Sequence, residues 1–174
     1  PNVACEGMAF GIDPKVVEQV TKAVRKVTDK PVIVKLSPNV TDIVEIAKAV
    51  EAGGGNGVSL INTLLGMAID IHRRKPVLGN IYGGLSGPAV KPVALRMVHQ
   101  VYKGVTIPII GLGGIMTGTD AIEFMMAGAQ AVQVGTATMV DPTAISRIAR
   151  EMSEYVEQYN LNSITDIVGA VHQA

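Results

Sequence analysis

Two kinds of hydrophobic pattern follow one another along this chain. Segments with apolar residues at helical spacing alternate with short, continuous apolar runs that are typical of buried strands. The first helical stripe consists of Val16, Val17, Val20, Val24 and Val27. Asp13 and Pro14 stand just before it, and this pair is typical of a helix cap and first turn. The apolar run "PVIVKLS" comes next and predicts a strand.

The same order recurs three more times. A helix capped by Thr41 and stopped by Gly53 precedes a predicted strand "GVSLIN". A helix over about 88–102 precedes "IPIIGLGG", and a helix over about 119–126 precedes "AVQVGT". An Asp-Pro pair at 141–142 then opens the last helix. The pattern therefore predicts four strand-helix units.

The strands, which begin near residues 31, 57, 107 and 131, are apolar without alternation, as in a parallel sheet covered on both faces. Both an open doubly wound sheet and a (β/α)8 barrel accept such units. Gly113-Gly114 and Gly135-Thr136 follow the last two strands, where barrels commonly bind phosphate. A whole barrel needs about 250 residues. We therefore expect an α/β fold that is the C-terminal half of a (β/α)8 TIM barrel, with 1–174 as one portion of a single domain.

The second and third strands are separated by a long insert. Residues 63–87, "TLLGMAIDIHRRKPVLGNIYGGLSG", are too many for a simple connection and end in a glycine cluster. A lid or binding loop is predicted there. Its "HRRK" run fits a solvated loop tip, with an anion site as the alternative.

Composition excludes several classes of function. Fifteen Lys and Arg balance fifteen Asp and Glu, so the chain has no basic field for nucleic acid or for a membrane surface. The uncharged run 52–69 is interrupted by glycines and is read as a loop and a buried strand rather than a membrane span. One cysteine forms no internal disulfide, and no signal sequence is evident, so the cytoplasm is expected. The three histidines have no metal-ligand spacing, and no metal is predicted.

Two positions carry candidate chemistry at strand ends. Lys35 stands among apolar residues, where it either snorkels or meets an anionic group. Asn62, followed by Thr63, offers donors and an acceptor to a planar ligand with amide or imide edges, although an asparagine that stabilises a turn is the alternative. The active sites of barrels are assembled at the carboxyl ends of strands, which favours the functional interpretation.

Seven stretches together carry a resemblance to a known family. They are "PNV", "FGIDP", "VKLSPNVTDIV", "INTLLGM", "GGLSGPAVKPVALRMV", "IPIIGLGGI" and "AVQVGTA". In this order they resemble dihydroorotate dehydrogenase, over nearly the whole chain. "LSPNVTDI" with "INTLLGM" resembles the NAD-linked, cytoplasmic form.

The resemblance implies oxidation of dihydroorotate to orotate in pyrimidine biosynthesis, with FMN as cofactor. The implied FMN contacts are Lys35, Ile61, Gly87, Gly113, Gly114, Gly135 and Thr136. The implied substrate contacts are Asn2, Asn62 and Thr63. The family's catalytic base is a cysteine that would stand immediately before Pro1, so Cys5 is expected to have no catalytic role and the chain alone to be inactive.

The resemblance also implies partners. In the NAD-linked form, catalytic subunits form a homodimer within a heterotetramer, and a second subunit with FAD and an iron-sulfur cluster passes electrons to NAD. Two other interpretations stay open at this point. One is a phosphate-binding isomerase or lyase barrel without flavin, and the other is a non-catalytic half-barrel that needs its upstream half.

Overall fold

The computed structural model describes residues 9–173 as alternating helices and strands. The α-helices are α1 (Ala9–Ile12), α2 (Pro14–Arg25), α3 (Ile43–Ala52), α4 (Lys91–Tyr102), α5 (Gly118–Met126), α6 (Thr136–Val140) and α7 (Ala144–Gln158). The strands are β1 (Ile33–Lys35), β2 (Gly57–Leu60), β3 (Leu64–Met67), β4 (Ile69–Asp70), β5 (Lys75–Pro76), β6 (Tyr82–Leu85), β7 (Ile109–Leu112) and β8 (Ala131–Gln133). Short 3-10 helices cover Pro88–Val90, Ile164–Ile167 and Ala170–His172.

Four of the strands form one parallel sheet in the order β1-β2-β7-β8. Val34 is in register with Val58, and Gly111 is in register with Val132. Each sheet strand is followed by a helix before the next sheet strand begins. The predicted C-terminal half of a barrel, with four parallel strand-helix units, is confirmed.

The core lies between this sheet and its helices. Every residue of β2 is buried, because β1 and β7 flank it and helices cover it. The largest fully buried side chains are Phe124, Leu36, Ile46, Leu60, Ile109, Val50, Val58, Val98 and Val101. Phe124 from α5 packs so closely on the sheet that a Cβ added at Gly111 would lie 2.6 Å from its ring. A side chain at position 111 would therefore displace α5 from β7.

The helix starts follow the predicted chemistry with two corrections. Asp13 caps α2 as predicted, since its carboxylate accepts a hydrogen bond from the backbone N–H of Lys15. The cap of α3 is Asp42 and not Thr41, because the Asp42 carboxylate accepts from the N–H groups of Val44 and Glu45. The last α-helix, α7, begins at Ala144 and not at the Asp-Pro pair 141–142, and the short helix α6 before it was not predicted.

The valine stripe of α2 is only partly buried. Val17 is buried, but Val20 and Val24 are 44% and 43% exposed, and Val27 is 83% exposed. The reason is that α2 packs mainly on α3, that no strand lies beyond the edge strand β1 within residues 9–173, and that Val27 follows the end of α2. Val20 and Val24 line an apolar groove of about 450 Å³ beside β1.

The insert folds as a two-part antiparallel hairpin. Strand β3 pairs with β6, and beyond them β4 pairs with β5. The "HRRK" run lies at the exposed turn of the outer pair, where the Asp70 carboxylate accepts from the N–H groups of His72 and Arg73. This is the solvated tip that the sequence favours. The lid role of the hairpin stays a prediction.

The two phenylalanines offer a matched test of the core. We expect Phe124→Ala to lower the free energy of unfolding by about 3–5 kcal/mol, because it opens a cavity behind the sheet. Phe10 is 50% exposed, so Phe10→Ala should cost less than about 1 kcal/mol. Urea unfolding of both variants measures the difference, and equal costs would contradict this packing.

Candidate functional site

A cleft lies at the carboxyl ends of the four parallel strands. The loops after β1, β2, β7 and β8 meet there with the end of the β3–β6 hairpin. Its volume is about 170 Å³, below the roughly 300–1,000 Å³ usual for a complete ligand pocket. Its lining residues are Lys35, Ile61, Asn62, Thr63, Leu85, Ser86, Gly87, Val90, Leu112, Gly113, Gly114, Gln133, Gly135 and Thr136. The cleft that residues 9–173 form is thus smaller than a pocket of that kind.

The backbone after β2 is fixed on both sides. The N–H of Ile61 donates to the carbonyl of Leu112, 2.8 Å away, and the N–H of Asn62 donates to the carbonyl of Leu36, 2.9 Å away. These bonds continue the sheet beyond β2, so Asn62 leaves it in a defined direction. The Ile61 side chain is buried and the Asn62 side chain is exposed.

Glycines permit two loops to touch. Gly113 and Gly114 have φ values of 127° and 80°, in the region that favours glycine. A Cβ at Gly114 would lie 2.7 Å from the carbonyl oxygen of Gly87, and one at Gly113 would lie 2.9 Å from the Cβ of Ala94. Contacts within the protein therefore already require glycine at both positions.

Gly135 differs from the other site glycines. A Cβ added there would meet no protein atom within 4 Å, although Gly135 lines the cleft. No steric contact among residues 9–173 explains a glycine at this position. The backbone at Gly135 therefore borders open space in the cleft.

Two further contacts join the loops across the cleft. The hydroxyl oxygens of Thr136 and Ser86 lie 3.0 Å apart, which ties the loop after β8 to the end of the hairpin. Behind the glycines, the ammonium of Lys91 contacts carboxylate oxygens of Asp120 and Glu123 at 2.6 and 2.7 Å. This second contact joins the start of α4 to the first two turns of α5.

Asp120 also binds the loop that leads from the glycines to α5. Its second carboxylate oxygen accepts from the N–H groups of Met116 and Thr117, each at 2.9 Å. Burial works to raise the pKa of Asp120, but the bonds from Lys91, Met116 and Thr117 outweigh it and hold the pKa below its ordinary value. The bonds to Asp120 and Glu123 raise the pKa of Lys91. Both ions are therefore stabilised in the fold.

Lys35 supplies the only charge among the residues that line the cleft within 9–173. No carboxylate in the described part of the chain forms an ion pair with it. A cation with amide, hydroxyl and backbone groups around it suits an anionic or electron-rich planar ligand.

The structure brings together nine of the ten predicted site residues. Lys35, Ile61, Gly87, Gly113, Gly114, Gly135, Thr136, Asn62 and Thr63 all line this cleft. Asn2 lies outside the described residues, as does Cys5. The roles assigned to the nine, as FMN or substrate contacts, stay predictions.

Sequence reasoning missed several residues of the cleft. They are Leu85, Ser86, Val90, Leu112 and Gln133. Gln133 and Leu112 end strands, so their position relative to the predicted strand ends was an available signal. Ser86 gave no such signal, because its contact with Thr136 joins residues 50 positions apart.

Two larger hollows on the surface lack the glycine loops of this cleft, although Lys35 also lines one of them. One of about 460 Å³ lies between α3 and α4, and the apolar groove beside β1 is the other. Neither contains a residue of the loops after β7 and β8.

The fold and the cleft together define a class of protein, namely parallel β/α barrels with a glycine-lined site at the carboxyl ends of the strands. Comparison with known proteins narrows this class. The sequence profile of the family described as "Dihydroorotate dehydrogenase" matches residues 1–156. The chain belongs to the dihydroorotate dehydrogenase family.

Similar curated proteins carry the name "Dihydroorotate dehydrogenase B (NAD(+)), catalytic subunit". The protein of Desulforamulus reducens is 63% identical over 172 residues, which are 99% of this chain and 57% of the relative. The protein of Alkaliphilus oremlandii is 62% identical over 169 residues, which are 97% of this chain and 56% of the relative. The protein of Alkaliphilus metalliredigens is 60% identical over 171 residues, which are 98% of this chain and 57% of the relative. The chain spans a little more than half the length of these relatives.

Two structural features are absent from residues 9–173. None of the helices there combines the length and the apolar character that crossing a membrane requires. No group of three or more His, Cys, Asp or Glu side chains in that part of the chain is arranged to hold a metal ion.

The Asp120 carboxylate should stabilise the protein in a pH-dependent way. We expect Asp120→Asn to lower the free energy of unfolding at pH 7 by about 1–3 kcal/mol, since charge-assisted bonds are lost. Because the folded-state pKa is depressed, this contribution is present above the ordinary pKa and is lost as the pH falls below about 4. Urea unfolding at pH 7 and near pH 3 measures both values.

The exposed Asp29 provides the control for that experiment. Asp29→Asn should change the free energy of unfolding by less than about 0.5 kcal/mol at either pH. An Asp120→Asn effect of the same size at both pH values would contradict the depressed pKa.

Proposed function

We propose that the protein that carries this chain oxidises dihydroorotate to orotate in pyrimidine biosynthesis with FMN as cofactor. The observation that supports it most is that Lys35, Asn62 and the glycine loops meet in one cleft at the carboxyl ends of the strands. A dispersed arrangement of the same residues would not serve one ligand pair. Family membership supports the same reaction.

The cleft fits FMN on two observations. The open space at Gly135 leaves room for a phosphate against the backbone, and Thr136 beside it offers a hydroxyl group. Lys35 provides a cation without a carboxylate partner in residues 9–173, which suits a flavin ring that becomes anionic on reduction. Hydride acceptance from the substrate is the chemistry that FMN supplies when bound.

In this proposal FMN is held by one group of the cleft residues and the pyrimidine by another. The FMN group is Lys35, Ile61, Gly87, Gly113, Gly114, Gly135 and Thr136. Asn62 and Thr63 bind the pyrimidine from the end of β2, and Asn2 adds a further amide from outside the described residues. The amide of Asn62 donates and accepts at once, so it matches a ring with alternating N–H and C=O edges. These groups would hold the pyrimidine in one orientation in the cleft.

The proton is removed, in this proposal, by the cysteine that the family's "SCPNV" motif would place immediately before Pro1. A general base must come within about 2.6–3.2 Å of the proton's heavy atom, or act through one water. Cys5 stands three residues beyond Asn2 in the sequence, so it is not assigned this role.

Electrons leave through a partner subunit in the proposed enzyme. The relatives' name contains both "NAD(+)" and "catalytic subunit". The chain has one cysteine, and an iron-sulfur cluster needs several thiolates, so such a cluster would belong to the partner. We propose a homodimer of catalytic subunits, each with an FAD and iron-sulfur subunit, in the cytoplasm.

Gly135 offers a sharper test of the flavin site than Gly114 does. A side chain at Gly114 would collide with Gly87, so loss of flavin from that variant would have two explanations. We expect Gly135→Val in the complete protein to remove most of the bound FMN, because the valine fills space that no protein atom occupies. Flavin absorbance of the purified protein measures the content.

The matched control is Gly79→Val. Gly79 lies in the hairpin and also has no protein atom within 4 Å of an added Cβ. This variant should keep its FMN. Urea unfolding of the flavin-free proteins should agree within about 1 kcal/mol, which separates loss of binding from loss of fold. Stoichiometric FMN in Gly135→Val would contradict the phosphate site, and a colourless complete wild-type protein would favour a flavin-free isomerase or lyase.

The dependence on a partner is tested by electron acceptors. The complete catalytic chain alone should reduce an artificial dye with dihydroorotate but reduce NAD at only a small fraction of the rate reached with its partner. Parallel assays of dye and NAD reduction, with and without the partner, give both rates. Full NAD reduction by the catalytic chain alone would disprove the proposed electron path.

A further inference from the structure

One asparagine bridges the loop after β1 and the start of the hairpin. The Nδ2 group of Asn39 donates to the carbonyl of Thr63 at 3.1 Å, and its Oδ1 accepts from the N–H of Leu65 at 2.9 Å. Asn39 itself is half-buried, and its own N–H donates to the hydroxyl of Ser37 at 3.2 Å. The side chain therefore uses both ends of its amide on one short backbone segment.

That segment connects the predicted substrate residues to the hairpin. Before it, the N–H of Asn62 is fixed to Leu36. After it, Leu64 begins the pairing of β3 with β6. Between these points, Asn39 is the residue outside the hairpin that binds the backbone of Thr63 and Leu65 in the described part of the chain. Asn39 thus sets where Thr63 stands relative to the sheet.

We propose that Asn39 is a positioning residue for the pyrimidine. It does not line the cleft, and it acts by holding the backbone of Thr63 so that Asn62 and Thr63 keep their places. The inference rests on the proposed function. It separates substrate positioning from flavin positioning, because the flavin side of the hairpin has its own contact between Ser86 and Thr136.

The test is Asn39→Asp in the complete protein. This change replaces the Nδ2 donor with an oxygen that faces the carbonyl of Thr63, so an attraction becomes a repulsion while the bond from Leu65 is retained. We expect the orotate Kd, measured by calorimetry, and the KM for dihydroorotate to rise about tenfold, the scale of one such bond. FMN content should stay at the wild-type level, and kcat should change less than KM.

A second variant keeps the inference testable if Asn39→Asp fails to fold. Asn39→Ala removes both bonds without repulsion and should raise the orotate Kd by a smaller factor. In this variant the amide of Leu65 should exchange its hydrogen faster, which is measurable by mass spectrometry without flavin or substrate.

Asn56→Asp is the matched control. Asn56 stands just before β2, and its Oδ1 accepts from the N–H of Val32, just before β1, at 2.9 Å. It therefore joins two backbone segments at the opposite end of the sheet from the cleft. It should leave orotate affinity unchanged. If the wild-type protein binds orotate and both Asn39 variants bind it equally well, the positioning role of Asn39 is overturned and the proposed function is not. A wild-type protein that binds FMN but no orotate would overturn the proposed function as well.

Discussion

The close approach of two backbones at Gly114 and Gly87 is the constraint on which the site depends. Only a glycine fits at position 114, because its added Cβ would lie 2.7 Å from the carbonyl oxygen of Gly87. This contact seats the end of the hairpin on the loop after β7. The ion pair of Lys91 with Asp120 lies behind the same loops and joins their two helices. The backbone contact between Gly114 and Gly87 and the ion pair of Lys91 with Asp120 thus together fix the position of the loop after β7.

The fold was largely predictable because its signals are local. The apolar runs and the caps at Asp13 and Gly53 lie within a few residues of the elements they define. The cap at Asp42 was misassigned to Thr41 because both residues are good caps, and only backbone dihedral angles choose between neighbours. The bond of Lys91 to Asp120 joins residues 29 positions apart, and no local pattern contains it.

The glycines of the cleft show why site roles are harder to predict than site location. Gly113 and Gly114 have positive φ values and collide with protein atoms if a Cβ is added, so the fold itself requires them. Gly135 has neither property, and no steric contact among residues 9–173 accounts for its glycine. The sequence shows the same letter at all three positions. Only the three-dimensional surroundings separate a glycine that packing requires from one that faces open space.

The hairpin has a register that gives its two faces different surroundings. Residues directly opposite in an antiparallel pair share a face, so Met67 and Tyr82 lie on one side and Leu64 and Leu85 on the other. Leu85 lines the cleft and Met67 and Tyr82 do not, although all three side chains are about half exposed. A slip of one residue would exchange these faces. Asn39 binds the first strand of the hairpin and Ser86 follows its last strand, so both contacts lie at the same end of the hairpin, where Leu64 pairs with Leu85. Fixing both strands at that end opposes such a slip and keeps Leu85 toward the cleft.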